Sequence, residues 1–329
     1  MRLERLGGQA GMALVLTLLV VAFLVTLTVQ LMAVVDRQMS GAALQAEQVR
    51  LDAMVLGGLH LVKAALIVDR GTNAEDGPHD AWADFDRDAL AALGGDISLE
   101  IEVVDLAGRL QINALVGEHA EACRRVWRRF LLSGRFAVRD EEHADALLDA
   151  LTDWIDQDEE ELPQGAETPY YQGLSPSRAC RNGPMLFPEE LLEVRGMTAK
   201  IVYGDEASEG IFPYVTIRGD DGRINLNTAP AAVLEALHEE MTPELARAMV
   251  DFRTDTDNRE ALAKADWYRE VEGMPATLDL GNDLPTVKGS YFLARIRAVK
   301  HRYGRVGQGV LHRTGGGLRV LSWNIKAAS

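Results

Sequence analysis

The feature that most constrains this sequence is an uninterrupted apolar run near its N-terminus. From Met12 to Val35 the chain has no charged residue, and three threonines and one glutamine are its only polar side chains. At ~1.5 Å rise per residue, a helix of this length crosses the ~30 Å hydrocarbon core of a bilayer. The run contains neither proline nor glycine, so nothing predicts a kink. We therefore predict one straight membrane-spanning helix over residues 12–35.

The segment before this run, residues 1–11, indicates how the chain is processed. It carries Arg2 and Arg5, which favour a cytoplasmic N-terminus. A secretory signal has its small-residue cleavage site after the apolar run, whereas the small residues here come before it. This arrangement resembles the class III leader of type IV pilins and pseudopilins, and the resemblance implies cleavage between Gly11 and Met12. The alternative is a signal anchor that stays uncleaved.

The fifth residue counted from Met12 is Leu16. Pilin-like subunits generally carry glutamate there, and the resemblance implies that this carboxylate neutralises the terminal amine of a neighbouring subunit in the apolar fibre core. A subunit without the carboxylate suits the end of a fibre, where no further subunit packs. We therefore predict that Leu16 determines where in a fibre this chain can sit.

The charge and cysteine content exclude several classes of protein. A net charge of −16 speaks against nucleic acid or an anionic membrane surface as a partner, because both repel an acidic protein. Cys123 and Cys180 are the only cysteines, too few for a disulfide framework. In a periplasmic domain these two could form one bridge, and the alternative is two isolated buried thiols.

Beyond the anchor, the hydrophobic pattern predicts an α+β body. Apolar residues recur at three- and four-residue steps over 36–70, so one long helix is expected to leave the membrane and lie on a sheet. Residues 71–95 are acidic and loop-rich, with Trp82 and Phe85 as expected anchors. Residues 97–113 alternate apolar and polar and predict a hairpin.

The C-terminal part and an internal echo complete the architecture. Residues 287–326 alternate in three runs separated by turns, which predicts an antiparallel meander. An internal sequence repeat is formed by two echo segments, Gly108–Leu115 and Gly222–Ala229. Both contain a turn, an arginine, an alternating strand and an asparagine suited to cap a helix. We expect these two strands to be neighbours, with the mostly helical residues 116–216 inserted between them. Two helical pairs, at 187–204 and 227–255, look like helix-hairpin-helix units.

The order of these features resembles the GspK family of type II secretion minor pseudopilins. The resemblance is carried by ALLDALTDWIDQDEEELPQGAETPYYQGL (146–174), LFPEELLEVRGM (186–197) and PYVTIRGDDGRINLNTAPAAVLEAL (213–237). It covers most of the chain and implies a pilin-like fold with an inserted helical domain of helix-hairpin-helix or SAM-like type. The expected segments are a leader at 1–11, a transmembrane helix at 12–35, a pilin-like spine with the first strands at 36–115, an inserted helical domain at 116–216, and a returning strand, second helical pair and C-terminal sheet at 217–329.

The resemblance also implies a function. Members of this family cap or initiate the periplasmic pseudopilus, which is thought to push folded proteins through the outer membrane. The implied partners are the I-type and J-type minor pseudopilins, the major pseudopilin fibre, the prepilin peptidase and the inner-membrane secretion platform. The implied location is the inner membrane, with one N-terminal helix and the body in the periplasm. Cleavage by the prepilin peptidase would leave an N-methylated Met12.

The best candidate ligand site is a second acidic segment, the acidic loop of residues 153–167. Its carboxylates repel one another unless a cation intervenes, and hard oxygens at alternating positions suit Ca²⁺. Family members bind Ca²⁺ in this region, so the resemblance also implies a structural Ca²⁺ here. The candidate ligands are Asp153, Asp156, Asp158, Glu160 and Glu167, with Asp156, Asp158 and Glu160 spaced by two. The alternative is a solvated acidic loop in an acidic protein.

Two other classes of function remain as alternatives. A membrane-anchored helix-hairpin-helix protein that binds DNA, similar to competence receptors, is one of them. Such hairpins hold phosphate on glycine-rich turns, but the turn after the second echo has no glycine and contains Glu239 and Glu240. An enzyme is the other. We expect no catalysis, because the chain has no H-E-x-x-H, G-x-S-x-G or P-loop motif.

Overall fold

The computed structural model describes residues 7–328, and its longest element is the single helix α1 (Gly7–Thr72). The predicted continuous helix is confirmed, because residues 12–35 and 36–70 belong to this one helix. Residues 1–6 of the expected leader lie outside the described residues. The side chains from Gly11 to Gln45 are exposed, and the apolar part of this stretch is long enough to cross a membrane.

The remaining elements alternate short helices with strands. In chain order they are α2 (Arg87–Gly94), β1 (Ser98–Asp105), β2 (Leu110–Gln111), α3 (Ala120–Leu131), α4 (Glu141–Ile155), α5 (Thr168–Gln172), α6 (Ala199–Tyr203), β3 (Val215–Thr216), β4 (Ile224–Asn225), α7 (Ala231–Ala236), α8 (Pro243–Thr254), β5 (Pro285–Thr286), β6 (Tyr291–Lys300), β7 (Tyr303–Thr314) and β8 (Gly317–Ala327). Short 3-10 turns lie at Leu106–Gly108, Ile112–Val116, Pro188–Glu193, Phe212–Tyr214, Thr256–Asn258, Ala261–Ala263 and Trp267–Glu270.

The C-terminal half of α1 packs on a four-stranded antiparallel sheet of order β1-β6-β7-β8. Its buried stripe recurs at three- and four-residue steps, as a helix on a flat surface requires, and consists of Leu51, Val55, Leu59, Val62 and Leu66. Gly57-Gly58 does not break the helix. A Cβ at Gly58 would lie 2.6 Å from the Ile296 Cγ2, so glycine is what lets α1 approach β6 so closely.

The meander predicted for residues 287–326 is confirmed as β6, β7 and β8. Trp82 is confirmed as an anchor of residues 71–95, because it is buried edge-on against Phe292 with ring centroids 5.1 Å apart. The hairpin expected at 97–113 does not form. β1 pairs with β6, whereas β2 leaves the sheet and pairs with β3.

The helical domain is inserted between strands, but the flanking strands are β1 and β6 rather than the two echo segments. β2 pairs in parallel with β3, and β4 pairs in parallel with β5. Each echo therefore opens a helical unit that is closed by its own short strand pair. Both units lie within residues 106–290, so the insertion is larger than the expected 116–216. The helical domain and the α1–sheet unit have separate hydrophobic cores.

The echo asparagines act as cross-links rather than helix caps. Asn113 donates to the carbonyls of Met185 and Ile217, at 3.2 and 2.9 Å, and accepts from the Met185 N–H. Asn227 is buried and donates to the Leu262 carbonyl at 3.0 Å. Each amide thus ties the start of its unit to a distant part of the same unit, which sequence spacing cannot show.

Candidate metal-binding site in the inserted domain

Helix α4 positions the acidic loop. Asp140 caps its N-terminus by accepting from the His143 N–H at 2.8 Å, and the helix is buried along one side in the inserted domain. Asp153 lies in the last helical turn and faces inward, and Asp156 is the C-cap residue. The loop returns at Glu167, where α5 begins.

Three carboxylates converge where the loop closes. Oxygens of Asp153, Asp156 and Glu167 all lie within 4.8 Å of one another. Asp153 is 0% exposed and Glu167 is 2% exposed. Both oxygens of Glu167 and one of Asp156 have no hydrogen-bond partner among the described residues. Buried carboxylate oxygens without donors are costly, and a cation, protons or buried water would satisfy them.

The electrostatics of the cluster agree with its geometry. Burial, followed by the negative charges of Asp156 and Asp153, raises the pKa of Glu167 to about 7. Burial and the neighbouring carboxylates raise the pKa of Asp156 to about 6. Burial also raises the pKa of Asp153, against hydrogen bonds from backbone N–H groups that lower it. A divalent cation would remove the repulsion that these shifts report.

The surroundings of the three carboxylates fit a calcium ion. Ca²⁺ takes roughly six to eight oxygen ligands in flexible geometry, and carboxylates are its usual protein ligands. In the same loop region, the Asn182 amide nitrogen donates to Glu159 at 2.7 Å, and the Asn182 side-chain oxygen has no partner among the described residues. Gly165 is required beside the cluster, because a Cβ there would lie 1.8 Å from the Asp153 Oδ2. These residues can therefore hold a hard cation.

The five candidate ligands divide into two groups. Asp153, Asp156 and Glu167 come together, whereas Asp158 and Glu160 are exposed and lie outside the cluster. Asp158 instead accepts from the Glu160 N–H at 2.9 Å, which shapes the loop. Asn182 was not among the sequence candidates. Its only signal in the sequence is its position after the acidic loop, too distant for a spacing argument.

Of the two possibilities for the cysteines, a bridge or separate thiols, the structure shows separate free thiols. Cys123 is buried on α3 against Gly222, and Cys180 lies 3.8 Å from the Asp153 carbonyl oxygen. The two thiols therefore belong to different neighbourhoods. Burial raises the pKa of each to about 11, which keeps both in the unreactive thiol form.

A second carboxylate cluster lies where α1 ends, but its charges are already compensated. Asp69, Asp76 and Asp80 are buried together. Arg313 of β7 contacts both Asp69, at 2.9 Å, and Asp76. Asn73 donates to Asp69 and Asp80 at 2.6 and 2.8 Å. This network ties the end of α1 to the sheet and leaves less need for a cation than the loop cluster does.

The basic face of α3 is also occupied within the chain. Arg124 pairs with Asp149, and Arg128 pairs with Glu141 and Asp145. The next arginine, Arg129, donates to the carbonyls of Ala236 and Leu237 at 2.7 Å each and so caps the C-terminal end of α7. The arginines that could have contacted phosphates therefore hold the inserted domain together.

A long helix that leaves a membrane-spanning segment and packs on an antiparallel sheet, with a helical domain inserted into that sheet, defines a membrane-anchored protein of pilin-like architecture. Family models described as type II secretion system protein K match residues 108–217 and 224–271, which are the two inserted units. Over these residues the chain is similar to type II secretion system protein K.

Individual relatives agree with the family models. The type II secretion system protein K of Pseudomonas aeruginosa is 29% identical over 75% of this chain and 73% of its own length. The protein of the same name from Aeromonas hydrophila is 33% identical over 46% of this chain and 45% of its own length. The corresponding protein of Klebsiella pneumoniae is 34% identical over 32% of each chain.

A solved structure supports the fold. The chain resembles a chain in the crystal structure of the GspK–GspI–GspJ complex from enterotoxigenic Escherichia coli, with a TM-score of 0.62. The match covers 86% of this chain and 98% of the other, at 16% identity. The predicted α+β class, with a long N-terminal helix on an antiparallel sheet and an inserted helical domain, is thereby confirmed.

Proposed function

We propose that this protein is a non-enzymatic minor pseudopilin at the tip of the periplasmic type II secretion pseudopilus. It would initiate or cap the fibre and so assist export of folded proteins across the outer membrane. The observation that carries the proposal is the joining of a fibre-type helix to a bulky inserted domain that is similar to protein K.

The anchor supports a position at the end of the fibre. Met12–Val35 has no carboxylate, and Leu16 stands where pilin-like subunits carry the glutamate that neutralises a neighbour's amine. A subunit without that charge has no means to receive a neighbour above it in an apolar core. In the membrane, the same segment would anchor the protein before assembly, after cleavage between Gly11 and Met12 and methylation of the new N-terminus.

The size of the inserted domain also supports a position at the end of the fibre. Residues 106–290 form a separate core and are joined to the sheet where β1 ends and β6 begins. A domain of this size beside the spine would block addition of further subunits on that side. The proposed calcium ion would hold the acidic loop closed, which makes it a structural ion rather than a catalytic one.

The solved relative suggests the partners. It was crystallised as a complex of GspK with GspI and GspJ. We propose that this chain likewise assembles with I-type and J-type minor pseudopilins, and then with the major pseudopilin fibre and the inner-membrane platform. Its body would lie in the periplasm.

The test is co-purification of the full chain from a membrane that also contains its prepilin peptidase and the cognate minor pseudopilins. We expect a mature chain beginning at N-methyl-Met12 that carries the I-type and J-type subunits with it. Gly11→Ala serves as the processing control and should keep the leader attached. A wild-type chain that begins at Met1 and co-purifies with neither subunit would contradict the proposal.

A further inference from the structure

Strand β8 (Gly317–Ala327) has a partner on one side only. It pairs with β7, and no strand among residues 7–328 pairs with its other edge. At ~3.4 Å per residue it presents an unpaired edge roughly 37 Å long. A free edge of this kind is a template for another strand, and proteins usually cover it or interrupt it.

The backbone groups that face away from β7 can be assigned. The Ala328 N–H donates to the Gly304 carbonyl at 2.9 Å, in register with the rest of the pair. Antiparallel pairing alternates between hydrogen-bonded and non-hydrogen-bonded residues. The N–H and C=O groups of Trp323, Ile325 and Ala327 therefore point outward from the sheet, free to bond to a further strand.

The edge is only lightly protected. β8 contains no proline, and one irregularity in its register interrupts the pairing near Leu321. At that point Val320 and Leu321 are 39% and 43% exposed. The segment thus combines free backbone groups with exposed apolar side chains, the combination that β-strand addition uses.

The charge of this edge is opposite to that of the protein. Residues 284–329 contain nine Lys and Arg and no Asp or Glu, in a chain whose net charge is −16. Of the cations on the sheet, Arg295 and Arg297 face the β1 acids Glu102 and Glu100, at 3.5 and 3.4 Å. Arg319 and Lys326, the two cations of β8, have no acidic partner within ion-pair distance in the described part of the chain.

We propose that the free edge of β8 accepts an acidic edge strand of a neighbouring pilin-like subunit and thereby extends the sheet across the subunit boundary. This inference rests on the proposed function, which supplies such neighbours. The unpaired Arg319 and Lys326 select an acidic strand over a neutral or basic one. Pairing of β8 with β8 of a second copy is disfavoured, because it would bring the same cations together.

The test uses the full chain purified in detergent, alone and with the cognate minor pseudopilins. Amide hydrogen exchange should slow at Trp323, Ile325 and Ala327 by about tenfold or more in the complex, because their N–H groups become bonded. The double variant Arg319→Glu with Lys326→Glu should reduce co-purified partner by about tenfold. The matched control is Lys288→Glu with Arg302→Glu, which reverses two exposed cations of the same segment outside β8 and should bind like the wild type.

The outcomes separate the two proposals. A wild-type complex whose β8 amides exchange as fast as in the free chain would overturn the edge inference and leave the proposed function standing. Equal binding by the β8 variant and the control would do the same. Concentration-dependent protection of β8 in the isolated chain would assign the edge to a second copy and overturn the inference. Failure of the wild type to bind any pseudopilin would overturn both.

Discussion

At the scale of single residues, three carboxylates dominate the chemistry of this molecule. Asp153, Asp156 and Glu167 are held close together by the end of α4 and the start of α5, although their charges repel one another. A cation or protons would relieve this repulsion. We therefore expect the stability of the inserted domain to depend on pH and on the proposed calcium ion.

The variant Glu167→Gln should distinguish two effects of Glu167, its role as a calcium ligand and its repulsion of the neighbouring carboxylates. With Ca²⁺ present, the variant should bind the ion at least about tenfold more weakly, because it loses a charged ligand. With a chelator present, it should melt at a higher temperature than the wild type, because one buried carboxylate is gone. Titration calorimetry and thermal melts measure both.

Glu160→Gln is the matched control, since Glu160 is an exposed carboxylate of the same loop outside the cluster. It should leave calcium affinity unchanged. The reverse result, with Glu160→Gln weakening the affinity and Glu167→Gln leaving it intact, would assign the site to the alternating set of Asp156, Asp158 and Glu160.

The calcium-free protein should lose stability as pH rises. Glu167 has a pKa of about 7 when folded, above the ordinary value of 4.5, so the folded state binds more protons than the unfolded state between these values. The stabilisation is therefore complete below about pH 4.5 and is lost as pH rises through 7. Chemical denaturation in chelator at several pH values should show a smaller loss for Glu167→Gln; an equal loss in both proteins would exclude Glu167 as its source.

The loop illustrates what sequence can predict about a site. Carboxylate density and a loop after an amphipathic helix are local features, so the segment and the residue types were available from the sequence. Which carboxylates converge was not, because Asp153 reaches Glu167 only after the loop has closed on the helix end. The position of Asn182 depends on a later loop, which is also a non-local contact.

At the scale of elements, the central contact is the approach of α1 to β6. Gly58 removes the side chain that would otherwise separate the helix from Ile296, a fully buried residue. The neighbouring Gly57 faces open space. Two adjacent glycines of the same helix therefore have opposite roles, and only Gly58 follows the three- and four-residue steps of the buried stripe.

Gly58→Ala and Gly57→Ala form a matched pair. Gly58→Ala should destabilise the protein by about 1–3 kcal/mol, because the added methyl overpacks the helix–sheet core. Gly57→Ala should stabilise it by about 0.5–1 kcal/mol, because alanine loses less backbone entropy in a helix. Guanidinium unfolding of the full chain in detergent would measure both changes, and equal effects would contradict this account of the contact.

The elements predicted from the sequence were those with a long local repeat. The helix over 36–70 and the meander over 287–326 each repeat their pattern for many residues, and both are confirmed. Strands β2 to β5 are two residues long, and their pairing depends on residues far apart in the sequence. The hairpin expected at 97–113 failed for this reason, since its second strand pairs with β3 instead of β1.

At the scale of the whole molecule, the anchor and the inserted domain lie towards opposite ends of one continuous helix. The network of Asp69, Asp76 and Arg313 fixes the end of α1 to β7, close to where the insertion begins. Helix α1 therefore runs without a break from the anchor to its ion-paired contact with the sheet.

Leu16→Glu should alter the position of the subunit in the fibre rather than its insertion into the membrane. The new carboxylate lies near the end of the membrane helix, where it can reach the interface, so carbonate extraction should still find the variant in the membrane. It could now receive a neighbour's amine, so cross-linking within sheared fibres should detect major pseudopilin on both sides of it. Leu14→Glu is the control and should remain at the tip. Identical cross-links for Leu16→Glu and the wild type would show that Leu16 does not set the position.

The pairing of β1 with β6 has a consequence for the order in which the chain folds. Strand β1 is synthesised long before β6, because all of residues 106–290 lie between them in the sequence. During that interval the sheet cannot form, and β1 has only α1 and α2 to cover it. The two inserted units are closed by their own strand pairs and can fold as soon as each is complete. Folding is therefore expected to proceed from the insertion inward, with the pilin-like sheet closing last, when the C-terminal strands arrive.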